Sequence, residues 1–282
     1  MLQISLIDET FNGLNSEHYK LTIQFLPDGF SYTLLDNVRK KYVMLKHYQF
    51  KNNEKTLDEI NGILATDKLF NFKYESVRTF IFTKNITIIP SVFSDREKIS
   101  KFTTFNFGEI NSNESYECKA AFDSTLAFCL EQNIIKILSS LNCHIFYPHA
   151  ITVLAEAQKD CLQKENCTGM YLSLLSGNAE VVVVKNSKLQ LFNIFQYHSE
   201  DDLCYYFIYL FNLFQFDKEK TPVTVSGITQ KNDSRLVKIE QFINKLQFSK
   251  PSSKYIYSYR FNEVPKHHFS NLFIMPYEDN KR

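Results

Sequence analysis

The chain has no tryptophan, no excess of charge of either sign, no CxxC pair and no unbroken apolar run long enough to span a bilayer. Each absence removes a class of explanation. The 32 Lys and Arg nearly cancel the 31 Asp and Glu, so the whole-molecule field gives no argument for nucleic acid, an anionic membrane or an acidic substrate. Partners must be sought in local features. With 26 Phe and 16 Tyr but no Trp, the aromatic content suggests an AT-rich coding sequence rather than a dedicated aromatic surface. The start, MLQISLIDETFNGLNSEHYK, places Asp8 and Glu9 where a signal peptide would have a basic segment before an apolar one. The longest apolar run, Leu203 to Phe216, is broken by Asn212 and Gln215 and is too short for a membrane span. A soluble cytoplasmic protein is expected. Cysteines at 118, 129, 143, 161, 167 and 204 fall largely inside predicted strands or helices, where a thiol behaves as a small apolar group, so neither disulfides nor zinc are expected. Without secretion, the sequons at Asn85, Asn113 and Asn166 carry no meaning.

What is present is a repeated pattern. With 282 residues, 44% of them hydrophobic, the chain can fill one large or two medium cores. Met170 to Phe195 holds three short β-branched and apolar runs parted by Ser176-Gly177-Asn178 and Asn186-Ser187, an antiparallel meander. Ser199 to Phe216 then reads as helix, Pro222 to Ser226 as strand, Leu236 to Leu246 as helix, Tyr255 to Tyr259 as strand, and Pro265 to Met275 as a last helix. The order is βββαβαβα.

The first half repeats it. After a lead-in strand at Leu2 to Ile7, Tyr19 to Phe25, Phe30 to Leu35 and Lys41 to Phe50 form another meander, with a turn at Leu26-Pro27-Asp28-Gly29. Thr56 to Leu69 has helical spacing, with Gly62 as a weak point. Val77 to Phe82 and Ile86 to Ile89 read as strands, the second ended by Pro90. Ser91 to Phe122 reads as an inserted subdomain: a helix near Phe93 to Ser100, strands at Phe102 to Phe107 and Tyr116 to Ala121, and the polar loop Asn111-Ser112-Asn113-Glu114. Strand Leu126 to Leu130, helix Ile134 to Leu141, strand Cys143 to Phe146 and helix Pro148 to Leu162 follow. The expected organisation is a first domain at 1–165 with an insertion at about 91–122, and a second at 168–282, related by internal duplication.

This duplicated βββαβαβα unit resembles the actin-like ATPase superfamily, whose half-units are ribonuclease H-like. Within it the chain looks most like type IV pilus inner-membrane platform proteins, and is similar to an uncharacterised Bacteroidetes domain-of-unknown-function family. The resemblance implies an α/β actin-like two-domain fold. It also implies an Asp at the end of the first strand of each half and a Gly two residues later, holding metal and phosphate. Here Gln24 takes the Asp position, Leu26 the Gly, and Ser31 stands where a basic residue is common; in the second half Ser173 and Leu175 take the same places. No carboxylate is available by this reading. The adenosine-binding turn matches Val223-Thr224-Val225-Ser226-Gly227-Ile228, which keeps one glycine of the usual pair. Leu blocks the close approach that phosphate needs, and Gln or Ser lacks the charge that magnesium needs. Neither ATP hydrolysis nor a resident cofactor is expected, and a two-metal nuclease would want carboxylates these strands lack.

Other clusters have simpler readings. Ser199-Glu200-Asp201-Asp202 reads as a helix start with an N-cap and first-turn acids rather than an acid–base pair. Cys143, His144 and His149 read as a buried strand thiol with loop and helix-start histidines rather than a Cys–His pair. Adjacent His267 and His268 point to different faces and make a poor metal pair. KYIYSYRF at 254–261 reads as an amphipathic strand; a single-strand nucleic-acid platform would use Lys254, Tyr255, Tyr257, Tyr259 and Arg260. The aromatic helix Leu203 to Phe216 is either central to a core or part of a partner interface. The leading expectation is a non-catalytic scaffold that binds another protein. The alternative is a small-ligand or nucleotide switch whose cleft is lined by Ser173, Ser176, Gly177, Ser226 and Gly227, better suited to ribose or another small polar molecule than to a triphosphate.

Overall fold

A computed structural model describes residues 2–50, 56–94, 96–108, 113–141, 143, 145–229 and 232–274. The lead-in β1 (Leu2–Ile7) and the meander β2 (Tyr19–Leu26), β3 (Gly29–Asp36) and β4 (Lys41–Gln49) are antiparallel neighbours. Helix α1 (Thr56–Thr66) leads to β5 (Ser76–Ile81), which lies parallel to β2, and β9 (Ile145–Pro148) lies parallel to β5. The order is β1-β4-β3-β2-β5-β9. β3 is buried at every position, as a central strand covered on both faces should be.

A third sheet, β6-β8-β7, interrupts this one between β5 and β9. Its strands are β6 (Ile86–Pro90), β7 (Asn113–Ala120) and β8 (Ser124–Glu131), and α2 (Arg96–Phe107) packs on it. The sheet therefore runs from Ile86 to Glu131 and takes in the strands on either side of the expected insertion. Helix α3 (Gln132–Ser140) returns the chain to β9.

The second meander is β10 (Gly169–Leu175), β11 (Asn178–Lys185) and β12 (Lys188–Gln196). Asn186 and Ser187, both with positive φ, form the tight turn between β11 and β12. Helix α5 (Glu200–Leu213) leads to β13 (Val223–Ser226), parallel to β10; α6 (Ser234–Glu240) leads to β14 (Leu246–Phe248), parallel to β13. The order β12-β11-β10-β13-β14 repeats β4-β3-β2-β5-β9 of the first sheet. Ser199 and Asp202 form a capping box at the start of α5. Leu203, Phe207, Leu210 and Phe211 bury one face of that helix, while Tyr205, Tyr209 and Leu213 stay exposed on the other.

Helix α4 (Ala150–Cys161) fixes the relation of the two sheets. Ala150, Ile151, Val153, Leu154 and Ala157 are fully buried, in one apolar cluster with Ile23 and Phe80 of the first sheet and Tyr171, Val182 and Val184 of the second. Burying Ile151, Val153 or Leu154 contributes roughly 1.5–3 kcal/mol each, and Leu154→Ala would cost about 2–5 kcal/mol. The helix thereby sets its first turn, with His149 just before it, between the two meanders.

The end of the chain departs from the sequence reading. Helix α6 stops at Glu240, and Leu246 opens a strand instead of closing a helix. β15 (Ile256–Tyr257) pairs parallel with the start of β4 in the first sheet, not with β14. Tyr255, Tyr257 and Phe273 ring Tyr42 at 4.7–5.4 Å between ring centroids, so aromatic packing on the first sheet outweighs continuation of the second. In place of the expected helix at 265–275 there are turns and a 3-10 segment, Ser270–Phe273; Met275 lies outside the described residues. Two more corrections concern the first half. Phe102 to Phe107 belongs to α2, and α1 ends at Thr66 before a short 3-10 turn at Lys68–Asn71. The loop residues 111 and 112 and His144 lie outside the described residues.

Cys161 and Cys167 form a disulfide between the end of α4 and the start of β10. Turning the chain from α4 into β10 brings their Cα atoms to 5.0 Å, inside bonding range. The expectation of no disulfides, drawn from the missing CxxC pair and from cysteines placed inside strands and helices, is corrected. Cys118, Cys129, Cys143 and Cys204 are buried free thiols. Among the described residues no helix is long and apolar enough to cross a membrane.

Candidate functional site

The ends of the two meanders face each other, and their ladders correspond residue for residue. Gln24 pairs with Ser31 on β3 and with Phe80 on β5; Ser173 pairs with Glu180 on β11 and with Ser226 on β13. Gln24 and Ser173 therefore hold equivalent places, each two residues before its hairpin turn.

Between them lies a buried polar chain. Glu180 Oε2 is 2.6 Å from His149 Nδ1, and Gln24 Nε2 is 2.8 Å from His149 Nε2. Asn271 Nδ2 donates to Ser173 Oγ at 2.9 Å and approaches the same His149 Nε2 at 3.3 Å. With two amide donors facing Nε2, that nitrogen accepts and the ring proton sits on Nδ1, donated to Glu180. His149 and Glu180 are 0% and 1% exposed and Asn271 is 3% exposed. Five elements, β2, β10, β11, the start of α4 and the C-terminal 3-10 segment, are thus tied at one point. Sequence reasoning found no carboxylate here, and Glu180 corrects it. Reflection through the Ser176–Gly177 turn pairs position 173 with 180, a signal present in the sequence; His149 and Asn271, 125 residues from Gln24 and 98 from Ser173, have no local signal.

A second chain lies beside the first. His47 Nε2 donates to Gln49 Oε1 at 3.2 Å, so its Nδ1 accepts from Ser31 Oγ at 2.8 Å, while Gln49 Nε2 donates to Asp28 Oδ2 at 2.8 Å. Burial lowers the His47 pKa and keeps the ring neutral. His267 and His268 converge instead of diverging: both Nε2 atoms donate to Thr229 O, at 2.8 and 2.6 Å. The sharp turn at 265–270 brings the two rings to one carbonyl, and burial lowers both pKa values. Arg235 is held by Asp233 and by Tyr197 Oη, and chiefly its Asp233 bonds raise its pKa.

These groups border a cavity of about 200 Å³, reached by Gln24, Leu26, Asp28, Ser31, Gln49, Leu174, Leu175, Ser176, Gly227, Ile228, Arg235, His268, Phe269 and Asn271. Of the five residues expected to line a cleft, Ser176 and Gly227 border it. Ser173 is sealed behind Asn271, Gly177 makes the hairpin turn with φ +63°, and Ser226 Oγ donates to Leu172 O inside the sheet. Gly227 has φ +103°, and a Cβ there would meet Leu174 O at 2.3 Å, so this glycine serves strand packing.

The remaining candidates are placed elsewhere. Cys143 contacts Thr79 Oγ1 and the Ile145 carbonyl, away from His149. Tyr255 and Tyr257 pack on Tyr42, Tyr257 Oη donates to Ser252 O, and Arg260 pairs with Glu263, which leaves Tyr259 as the exposed ring of the KYIYSYRF stretch. Among the described residues no three or more His, Cys, Asp or Glu side chains could hold a metal ion.

Two sheets of matching order, joined through α4 and facing each other across a cleft, define an actin-like α/β protein. Known structures agree: a Bacteroides thetaiotaomicron protein of actin-like ATPase fold and unknown function is 15% identical, with 85% of this chain and 94% of that one covered at a TM-score of 0.75. The chain belongs to DUF3822, a family of proteins of unknown function whose model matches residues 8–246. It is also similar in fold to a chain of the PilM–PilN type IV pilus biogenesis complex, at 8% identity, with 90% and 96% of the two chains covered and a TM-score of 0.62. No curated protein matches the chain.

Proposed function

We propose that this is a non-catalytic cytoplasmic protein that works by holding an extended segment of another protein. The observation that carries the reading is a groove of about 460 Å³ between the third sheet and β9. Among the described residues β7 is in a ladder with β8 and β9 in a ladder with β5, which makes both the outermost strands of their sheets, and residues of both border the groove. Tyr116 and Phe146 meet edge to face at 5.0 Å as its apolar floor, with Glu117 and Lys119 beside them. An unpaired strand edge is a template for a further strand, with main-chain bonds giving affinity and side-chain pockets giving selectivity. That a protein of similar fold occurs in a PilM–PilN complex supports the same reading.

Nucleotide chemistry suits the central cleft poorly. Gln24 and Ser173 are committed to His149 and Asn271, Leu26 and Leu175 occupy the phosphate-turn places, and the residual 200 Å³ lies below the roughly 300–1,000 Å³ that a ligand of nucleotide size occupies. A photo-crosslinking residue at Tyr116, with a control at Phe105 on the exposed face of α2, tests the proposal. A protein adduct formed only from the groove and lost with Phe146→Glu is expected. Magnesium-dependent ATP hydrolysis that disappears with Glu180→Gln, or equal adducts from both positions, would overturn it.

A further inference from the structure

We propose that the cavity between the two meanders is a binding site for a small cyclic polyol, a monosaccharide in size and chemistry, independent of the protein-docking groove. The argument begins with Asn271. Its amide nitrogen is taken up by Ser173 and His149, while Oδ1, in a residue 3% exposed, has no partner. A buried acceptor left unpaired costs about 1–3 kcal/mol, so a molecule that enters beside it and brings a donor gains that bond.

The other groups on the cavity ask for donors as well. Ser31 gives its proton to His47 and keeps lone pairs on Oγ. Asp28 receives one bond, at Oδ2 from Gln49, and offers further lone pairs. His268 donates Nε2–H to Thr229 O, which leaves Nδ1 of a neutral ring as an acceptor. The cation on the wall, Arg235, is already turned to Asp233 and Tyr197. An acceptor-rich site with one carboxylate repels phosphate and favours a ligand rich in hydroxyls.

Shape selects within that class. Leu26, Leu174, Ile228 and Phe269 provide an apolar wall opposite these polar groups. A pyranose or furanose ring has the matching pair of surfaces, a C–H face and a hydroxyl edge, whereas a linear amine has charge without a face. The volume, about 200 Å³, suits a single ring and not a nucleotide.

The test is a thermal-shift and titration panel on the full chain with free pentoses, hexoses and inositol, alongside inorganic phosphate, AMP and a diamine. At least one sugar or inositol should raise the midpoint saturably at concentrations up to about 20 mM, as a ligand of the native state must. Asn271→Leu removes the unpaired acceptor but disturbs the buried chain, so the deciding variants are Ile228→Trp, which fills the cavity from a half-exposed wall position, and Asp28→Ala. Each should weaken the sugar at least tenfold while the protein stays folded. Binding of phosphate, AMP or diamine without any sugar, an undiminished sugar affinity in Ile228→Trp, or no response to the whole panel would overturn the proposal.

Discussion

The first and second meanders share one ladder and end in different chemistry. At the first, Gln24 and Ser31 are neutral and Ser31 leads outward, through His47 and Gln49, to Asp28 near the surface. At the second, Ser173 and Glu180 are sealed, and the Glu180 carboxylate depends on His149 for its close partner. The position after each parallel neighbour differs as well: Ile81 follows Phe80 in the first half, while Gly227 follows Ser226 where the backbone presses on Leu174. A duplicated fold preserves register without preserving function. The second half supplies the sealed Ser173 and Glu180 of a structural lock, while the cavity draws its polar groups from both halves, Asp28 and Ser31 from the first and Ser176, His268 and Asn271 from the second.

The largest effect should come from opening the lock. His149→Leu leaves Glu180 buried without its partner, and breaking such a pair costs about 3–5 kcal/mol; urea unfolding should show a drop of that order. A loss below about 1 kcal/mol would mean that the two meanders are equally dispensable and the comparison fails.

Glu156, in the middle of α4, separates the lock from the helix that carries it. Burial raises its pKa from 4.5 to about 7. A carboxyl with a higher pKa folded than unfolded binds protons preferentially in the native state, so stability falls as pH rises between about 4.5 and about 7, and the loss is complete above that. At about 1.4 kcal/mol per unit the loss approaches roughly 3 kcal/mol. Glu156→Gln should therefore stabilise the protein at pH 8, leave it unchanged near pH 4, and flatten the profile between. A profile that stays steep in this variant would show that Glu156 does not carry the pH dependence.

The glycines sharpen the contrast next. Gly227→Ala must push a Cβ into Leu174 O at a φ of +103°, whereas the Cβ of Gly177→Ala finds Tyr197 O at 3.5 Å and meets only the positive φ. The first substitution should lower stability by about 2–3 kcal/mol and the second by about 1 kcal/mol, read as midpoint shifts in the same denaturant series. Equal losses would show that the strand packing at Gly227 is loose.

How much of this the sequence carried follows from the range of each interaction. The meanders are local: alternation, Leu26-Pro27-Asp28-Gly29 and Ser176-Gly177 name their own partners, and Ser199-Glu200-Asp201-Asp202 announces a cap that forms as expected. β14 is three residues long and is defined by its parallel pairing with β13, so no periodicity could reveal it. The stretch at 255–259 is legible as aromatic and extended, but its docking on Tyr42 depends on a sheet some 200 residues earlier. The lock was half legible. Gln24 and Ser173 follow from setting each meander against the actin-like pattern, Glu180 is hidden as one polar position in a valine strand, and His149 reads as a helix-start residue because its partners are remote in the chain.

The smallest difference tests the division of labour most directly, because it compares two serines in the two meanders. Ser31→Ala leaves His47 Nδ1 buried without its partner, since the other ring nitrogen already donates to Gln49. Ser173→Ala leaves Asn271 Nδ2 with His149 Nε2 still at 3.3 Å, so the donor keeps a weaker bond. An unpaired buried group costs about 1–3 kcal/mol and a lost but replaceable bond about 0.5–1.5 kcal/mol. The serine of the first, more open meander should therefore be the more costly to remove, by about 1 kcal/mol in paired denaturant melts, although the second meander holds the stronger lock. That inversion follows from redundancy. Asn271 meets both Ser173 and His149 and can tolerate losing one, while His47 Nδ1 takes its bond from Ser31 Oγ. If Ser173→Ala proves the worse, Asn271 is held by Ser173 alone, and the cavity's unpaired Oδ1 is positioned by that one hydroxyl.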